Sequence, residues 1–194
     1  MFAAQQHEYL FDQVQDSDEI THNSGTANQQ IRVNFNHPTK ELLWRGRRDT
    51  VVQPGVAYRG NDWFNYSGVQ SSFETYPGSG IFVPLENDPL LTTQITVNGH
   101  ERTPVHPSLY YRNIQPRQHH TSKPNKHIYN YCFAEMPEDW KPTGSINFSR
   151  IDNTMFKINF PTGGLDWAGQ VRIYARNLNV MKIVSGMAGM LFAN

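Results

Sequence analysis

Two adjacent histidines, His119 and His120, stand in the polar stretch "QPRQHHTSK", and a third, His127, follows shortly after. Imidazole is both a common metal ligand and a common catalytic base, so this stretch is the first candidate for chemistry. Neighbouring side chains on a strand point to opposite faces. We therefore expect that His119 and His120 do not share one metal ion.

A metal-dependent enzyme of the cupin type would need a His-x-His pair, a Glu a few residues later and a distant His. No Glu lies between His120 and Glu135, and His100 and His106 do not have this spacing either. We therefore predict no metal site and no cofactor. We interpret His119 and His120 as part of a polar loop or strand end that hydrogen-bonds locally or across a subunit boundary.

Nucleophilic catalysis has little support in the sequence. Ser145, Ser149 and Asp152 lie close together, but no Gly-x-Ser-x-Gly elbow surrounds them. Cys132 is the single cysteine, which excludes an internal disulfide. It falls in an apolar strand pattern, where we expect a small buried side chain rather than a nucleophile. The sequence thus predicts a protein that is not an enzyme.

The charge of the chain argues against a nucleic-acid partner. Seventeen basic and 17 acidic residues give 194 residues a formal net charge of zero. The one basic cluster, "RGRR" at 45–48, is flanked by Glu41 and Asp49. We interpret it as a solvated turn or as a charge partner for a neighbouring subunit.

Two sequons are present, at Asn65 and Asn147. Asn147 lies in a predicted strand, whereas Asn65 lies in a long loop over 49–80 that is rich in Gly, Ser, Asn and aromatic residues. Asn65 is therefore the better candidate for glycosylation.

The elements that would position these residues are strands. Apolar residues alternate with polar ones over 31–35, 91–97, 128–133 and 170–184, and Asn98-Gly99 has the composition of a hairpin turn. Segment 108–114 is short and apolar, and 145–151 and 154–160 read as two strands joined by Asp-Asn. About eight strands and no convincing amphipathic helix predict an all-β sandwich or barrel. Residues 1–28 lack this periodicity and read as a linker or N-terminal arm.

The longest apolar stretch is the C-terminal "VMKIVSGMAGMLFA". It is shorter than the roughly 20 residues that a spanning helix requires, so we predict no membrane insertion. We expect it to form a final core strand, with Gly186 marking a bulge or a close backbone approach.

Five motifs occur in one order along the chain: "IRVNFNHPTKELLW", "VNGHER", "NIQPRQHHT", "GSINFSRIDN" and "YARNLNVMKIVSGMAGMLFAN". Together they resemble the C-terminal half of the major capsid protein of nucleocytoplasmic large DNA viruses, the iridovirus, phycodnavirus and mimivirus-like group. The resemblance covers residues 29–194. It implies an eight-stranded jelly-roll sandwich, the second half of a double jelly-roll capsid protein, with residues 1–28 leading into it.

The resemblance also implies the protein's function and partners. Three copies would form a trimeric, pseudo-hexagonal capsomer, and capsomers would tile an icosahedral shell over an internal membrane. The implied partners are other copies of the protein, neighbouring capsomers, minor capsid proteins and the N-terminal jelly roll that this chain lacks. The implied location is the virion capsid, with assembly in the host cytoplasm, where the usual glycosylation machinery would not reach Asn65.

One function of another class remains open from the residues alone. Trp63, Phe64 and Tyr66 follow one another in the long loop and could form a stacking platform for sugar rings. The alternative is therefore a jelly-roll carbohydrate-binding module.

Overall fold

The structure is a computed structural model that describes residues 5–51, 63–68, 88–162 and 167–192. Twelve strands lie within these ranges and form two antiparallel sheets, which confirms the predicted all-β sandwich. The strands are β1 (His7–Asp16), β2 (Ile20–His22), β3 (Asn28–Val33), β4 (Pro38–Arg48), β5 (Thr92–Val97), β6 (His100–Glu101), β7 (His106–Pro107), β8 (Tyr129–Cys132), β9 (Ile146–Asn147), β10 (Thr154–Asn159), β11 (Gly169–Val184) and β12 (Met187–Met190).

The larger sheet is built around β11, with the order β1-β11-β4-β8. One edge of β11 pairs with β2 and then β1, and the other pairs with β4 and then β12. The short β9 pairs with the start of β4. The long alternating segment predicted at 170–184 is thus confirmed as the central strand of this sheet.

The smaller sheet has the order β3-β10-β5-β6, and β7 pairs with β5. Asn98 and Gly99 connect β5 to β6 with positive φ angles of 49° and 81°. These are the conformations that a tight hairpin turn requires, so the turn predicted from Asn-Gly is confirmed.

The core lies between the two sheets. Trp44 of β4 is fully buried and packs against the rings of Tyr111, Tyr129 and Phe156, with centroid distances of 5.0, 6.0 and 5.3 Å. Alternate residues of the facing strands complete this core: Ile31, Val33, Leu42, Ile95, Ile158, Val171, Ile173 and Ala175. Alternation places every second side chain of each strand inside, as the sequence pattern requires.

The N-terminal segment differs from the prediction. It was expected to be a linker or arm, but β1 pairs with β11 over ten residues and β2 pairs with the start of β11. Charge pairs hold β1 in place: Asp16 with Arg172 at 2.8 Å, and Glu8 with Lys182 at 3.7 Å. Because ionic and backbone contacts dominate this strand, a search for apolar periodicity does not detect it.

Residues 145–151, which were predicted to be a strand, take another form. Residues 145–151 form the two-residue β9 and a 3₁₀ turn (Phe148–Arg150), and β9 belongs to the larger sheet while β10 belongs to the smaller one. Residues 145–151 and 154–160 therefore do not form a hairpin with each other. Segment 108–114, which is short and apolar, contains a π-helical turn (Tyr110–Ile114). This turn continues into a short helix, α1 (Gln115–His119).

The apolar C-terminal segment was predicted to be a core strand, and this is wrong. All four residues of β12 are exposed, and the Met187 side chain reaches 75% exposure. Among the described residues, β12 pairs only with the end of β11, beyond the point where β4 stops pairing. Gly186 has a φ of +79°, so it serves a turn between β11 and β12 rather than a bulge.

Gly169 of β11 lies very close to the backbone of β4. A Cβ at Gly169 would lie 2.1 Å from the carbonyl oxygen of Arg47 and 2.8 Å from the Cα of Arg48. We expect Gly169→Ala to lower the free energy of unfolding by about 2 kcal/mol or more, because backbone must move to admit the methyl group.

Gly189→Ala is the matched control, because nothing lies within 4 Å of its Cβ position and it belongs to the same sheet. Its effect should stay within about 0.5 kcal/mol. Urea titration measures the free energy of unfolding of both variants. Equal unfolding midpoints for Gly169→Ala and Gly189→Ala would contradict the close approach of Gly169 to β4.

Candidate functional site

His119 and His120 lie at the end of α1, not on a strand or in a loop as predicted. His119 is the last helical residue, and His120 is extended with φ −117° and ψ 157°. The helix end turns their side chains apart. His119 Nδ1 lies 2.9 Å from the carbonyl oxygen of Glu135, whereas His120 contacts Glu41 and Glu138. The two imidazoles therefore have different partners because the helix ends between them, and not because they alternate along a strand.

His120 is the centre of a group that we call the His120 cluster, made of Glu41, His120, Cys132 and Glu138. Its Nε2 atom lies 2.9 Å from Glu41 Oε2, and its Nδ1 atom lies 2.9 Å from Glu138 Oε1. Cys132 Sγ lies 3.6 Å from His120 Nε2 and 3.9 Å from Glu41 Oε2. The imidazole thus bridges two carboxylates beside a thiol.

The register of the larger sheet creates this cluster. Glu41 of β4 and Cys132 of β8 are direct partners in the strand pairing. The amide N–H of Cys132 donates to Gln115 Oε1 at 3.2 Å, which fastens α1 to β8 and brings His120 to the same place. Sequence reasoning missed the cluster because its members come from positions 41, 120, 132 and 138, and no local spacing joins them.

Burial and charge set the protonation of the cluster. The hydrogen bond with Glu41 raises the pKa of His120, although burial opposes that shift. The hydrogen bond with His120 lowers the pKa of Glu138. Glu41 is 2% exposed, and its Oε1 atom accepts from Arg176 Nη1 at 3.2 Å. These contacts stabilise an imidazolium between two carboxylates.

Cys132 is poorly suited to act as a nucleophile. It is 7% exposed, as the sequence predicted for a buried cysteine. Burial and then the charge of Glu41 raise the pKa of its thiol. A reactive cysteine needs the opposite shift, towards thiolate near neutral pH. The proximity of Cys132 and His120 therefore does not make a catalytic dyad.

The residues considered for acyl chemistry have structural contacts instead. Ser149 Oγ accepts a hydrogen bond from the backbone N–H of His37 at 2.8 Å. The backbone oxygen of Asp152 accepts from Arg32 Nη2 at 2.9 Å. The other histidines considered for a metal lie apart on β6 (His100) and β7 (His106), and the His106 ring stacks on Tyr110 at 4.1 Å.

His127 belongs to a second buried group. It is 5% exposed, and burial together with the positive charge of Arg112 lowers its pKa to about 4. Arg112 Nη2 pairs with Asp88 at 3.1 Å, and the Tyr129 hydroxyl donates to Asp88 Oδ1 at 2.8 Å. Desolvation raises the pKa of Asp88. His127 is therefore a neutral core histidine next to a buried ion pair.

The basic cluster at 45–48 is not a solvated turn, because all four residues lie in β4 and the side chains of Arg45 and Arg48 are buried. Arg47 Nη2 lies 3.2 Å from Glu19 Oε1 and 2.7 Å from Gln170 Oε1. Burial of these side chains and their internal partners leave little exposed basic surface for a nucleic acid.

The aromatic residues of the long loop are only partly open. Trp63 and Phe64 are exposed, but the guanidinium of Arg47 lies 4.9 Å from the Trp63 ring centroid, and that of Arg45 lies 5.1 Å from the Tyr66 ring. Arginine therefore occupies positions where a sugar would stack. Residues 52–62 and 69–80 of this loop lie outside the described part of the chain.

The two sequons have the opposite exposure from that expected. Asn65 is 8% exposed, and its Oδ1 atom accepts from the backbone N–H and the hydroxyl of Ser67 at 3.0 and 2.6 Å. Asn147 is exposed. A buried amide disfavours modification of the folded chain, and glycosylation of Asn65 stays a prediction.

One edge of the larger sheet exposes a run of apolar side chains, which we call the apolar edge. The register aligns Tyr9 of β1 and Met190 of β12 on either side of Met181, on one face of the sheet. Met187 pairs with Val184 and therefore points to the opposite face, so the apolar edge has exposed side chains on both faces: Tyr9, Met187, Met190, Leu191 and Phe192. Large exposed apolar patches on soluble proteins mark surfaces that contact a partner.

Within the described ranges, none of the helices combines the length and the apolar character needed to cross a bilayer.

The chain is similar to capsid proteins of large DNA viruses. The sequence profile of a family described as "Large eukaryotic DNA virus major capsid protein" matches residues 1–189. The major capsid protein of Paramecium bursaria Chlorella virus 1 is 32% identical and covers 100% of this chain, which spans 50% of that protein. The major capsid protein of Phaeocystis pouchetii virus is 30% identical, with coverages of 97% and 49%. The chain thus spans about half the length of these curated relatives.

Solved structures of viral capsid proteins are similar to this chain in fold. A quasi-atomic structure of the PBCV-1 virus capsid matches with a TM-score of 0.76 and 28% identity over 100% of this chain and 53% of that one. The Faustovirus major capsid protein matches with a TM-score of 0.65 and 17% identity, over 90% and 33% of the two chains. The two-sheet architecture is therefore that of a viral capsid jelly roll, as predicted.

The neutral His127 makes folding sensitive to acid. Its folded pKa, about 4, lies below the ordinary value near 6.5, so the unfolded chain takes up the proton first as the pH falls. We expect this residue to reduce stability by roughly 2 kcal/mol between pH 7 and pH 4.5.

The variant His127→Gln removes the titrating group and should lose correspondingly less stability over that range. Urea titrations at the two pH values measure the difference between the two proteins. Equal losses would show that His127 does not remain neutral in the fold.

Proposed function

The chain belongs to the major capsid protein family of large eukaryotic DNA viruses, and from this membership we propose that it forms the second jelly roll of such a protein and assembles the virus shell. The observation that carries the proposal is the match of the whole chain to about half of a solved capsid protein. The half of the solved capsid protein that this chain does not match would then be a first jelly roll. In this proposal, β1 and β2 belong to the same jelly roll as residues 29–194.

We propose that the partners of the chain are other copies of the same protein, arranged as a trimeric, pseudo-hexagonal capsomer, together with neighbouring capsomers and minor capsid proteins. The apolar edge supports a role in contacts between proteins. Without a partner, more than half of the surface of Met187 and of Leu191 remains in water. The zero net charge supports shape and apolar contact over electrostatic attraction.

The proposal assigns the chain a structural role without catalysis. The buried cysteine with a raised pKa and the arginines with internal partners support this role over enzymatic or nucleic-acid functions. The virion capsid is the place of action, and we propose assembly in the host cytoplasm next to an internal membrane that the chain does not enter.

Size-exclusion chromatography with light scattering tests the trimer. The protein that carries both jelly rolls should elute at three times its protomer mass, and the 194-residue chain alone should show less association. A stable monomer of the two-jelly-roll protein under assembly conditions would contradict the proposal.

The apolar edge gives a sharper test of assembly. Met187→Asp places a charge on a side chain that is 75% exposed, so the free energy of unfolding should change by less than about 0.5 kcal/mol. Capsomer or shell formation should nevertheless weaken at least tenfold, because a buried unpaired charge disfavours an apolar interface.

Met187→Leu is the control, since it keeps the side chain apolar and should assemble normally. Light scattering of assembly mixtures measures both variants. Normal assembly of Met187→Asp would exclude this edge from the contacts.

A further inference from the structure

Three donor atoms of the His120 cluster have the arrangement of an incomplete metal site. Glu41 Oε2, His120 Nε2 and Cys132 Sγ all lie within 4.8 Å of one another, with separations of 2.9, 3.6 and 3.9 Å. Ligand atoms around a tetrahedral zinc ion, with bonds of about 2.0 to 2.3 Å, are roughly 3.3 to 3.7 Å apart. An ion could thus bind with movements of a few tenths of an ångström. Although the sequence alone predicts no metal site, we propose that these three side chains bind one zinc-like transition-metal ion.

The types of donor select the class of ion. One imidazole nitrogen, one thiolate and one carboxylate oxygen form a mixed set of the kind that Zn²⁺ accepts. Hard cations such as Mg²⁺ and Ca²⁺ prefer oxygen ligands throughout, so they fit this set poorly. Three protein ligands leave one position of a tetrahedron for water or for a group from a partner.

Neighbouring side chains already hold the three ligands in place. Glu138 Oε1 lies 2.9 Å from the far nitrogen of His120, which gives the carboxylate–histidine–metal arrangement that fixes the ring and its tautomer. Arg176 holds the second oxygen of Glu41 at 3.2 Å. Gln115 holds the backbone of Cys132 at 3.2 Å. Each donor therefore has a partner that orients it without using the atom that would bind the ion.

Binding of Zn²⁺ would leave the net charge of the His120 cluster unchanged. A bound Zn²⁺ would replace the proton between His120 Nε2 and Glu41 Oε2 and the thiol proton of Cys132. Two protons leave as two positive charges arrive, so Arg176 and Glu138 face the same net charge before and after binding.

One of the three ligands faces the surface. His120 lines two surface clefts, one shared with Thr121, Glu138 and Asp139 and another shared with Leu43, Pro116 and Asn130. Because the ligands come from β4, β8 and the end of α1, a bound ion would cross-link these three elements and stabilise the fold.

The first experiment uses Co²⁺ and Zn²⁺ with the unaltered chain. Co²⁺ should produce the intense near-ultraviolet band of a thiolate–cobalt bond, and Zn²⁺ should abolish it at one equivalent per chain. Zn²⁺ should also raise the unfolding temperature. This readout needs no variant and therefore no assumption about folding.

Variants then assign the ligands. His120→Gln and Cys132→Ser should each weaken Zn²⁺ binding at least 100-fold in calorimetric titration, and Glu138→Gln should weaken it about 10- to 100-fold. His119→Gln is the matched control, because the His119 imidazole hydrogen-bonds to the Glu135 carbonyl oxygen and lies outside the three-donor group, so this variant should bind Zn²⁺ like the unaltered chain.

Two results would overturn the proposal. The first is the absence of the thiolate–cobalt band from the folded, unaltered chain. The second is Zn²⁺ binding by folded Cys132→Ser with unchanged affinity, which would place the ion elsewhere. Neither result bears on the capsid proposal, since light scattering tests that proposal independently.

Discussion

The pairing of β11 on both of its edges is the constraint on which the larger sheet depends. Sixteen residues of this strand hydrogen-bond to β2 and β1 on one side and to β4 and β12 on the other. A one-residue slip of β11 would turn Val171, Ile173 and Ala175 out of the core and would misalign four neighbouring strands. The close contact of Gly169 with the β4 backbone fixes one end of this register.

Buried charges extend this constraint to the rest of the fold. Arg176 of β11 contacts Asp12 of β1 and Glu41 of β4, so one guanidinium joins three strands. Lys40 is fully buried, pairs with Asp12 at 3.1 Å and donates to the carbonyl oxygens of Pro137 and Asp139. Desolvation offsets much of the attraction in a buried ion pair, but removal of one partner leaves an unpaired buried charge and is strongly destabilising. Here Lys40 fastens the 137–139 segment to the sheet. Arg176 contacts Glu41, which in turn contacts His120.

The sequence predicts the parts of this fold that rest on local or periodic signals. Alternation over 170–184 identifies β11, and Asn98-Gly99 identifies a hairpin through its positive φ angles. It does not predict β1, because ionic pairs with β11 replace an apolar face. It mistakes β12 for a core strand, because its apolar composition does not reveal that the end of β11 extends past β4. The His120 cluster depends on the pairing of Glu41 with Cys132, which exists only once the sheet has formed.

In the proposed assembly, this chain is one jelly roll of a capsid protein, and its two sheets stand within a threefold capsomer. A cryo-electron microscopy reconstruction of capsomers or shells, assembled from the protein with both jelly rolls, tests that claim most directly. We expect a pseudo-hexagonal unit with six jelly-roll densities, three of which fit the β1-β11-β4-β8 and β3-β10-β5-β6 sheets. Particles without threefold units, or density into which these two sheets do not fit, would contradict the proposed assembly.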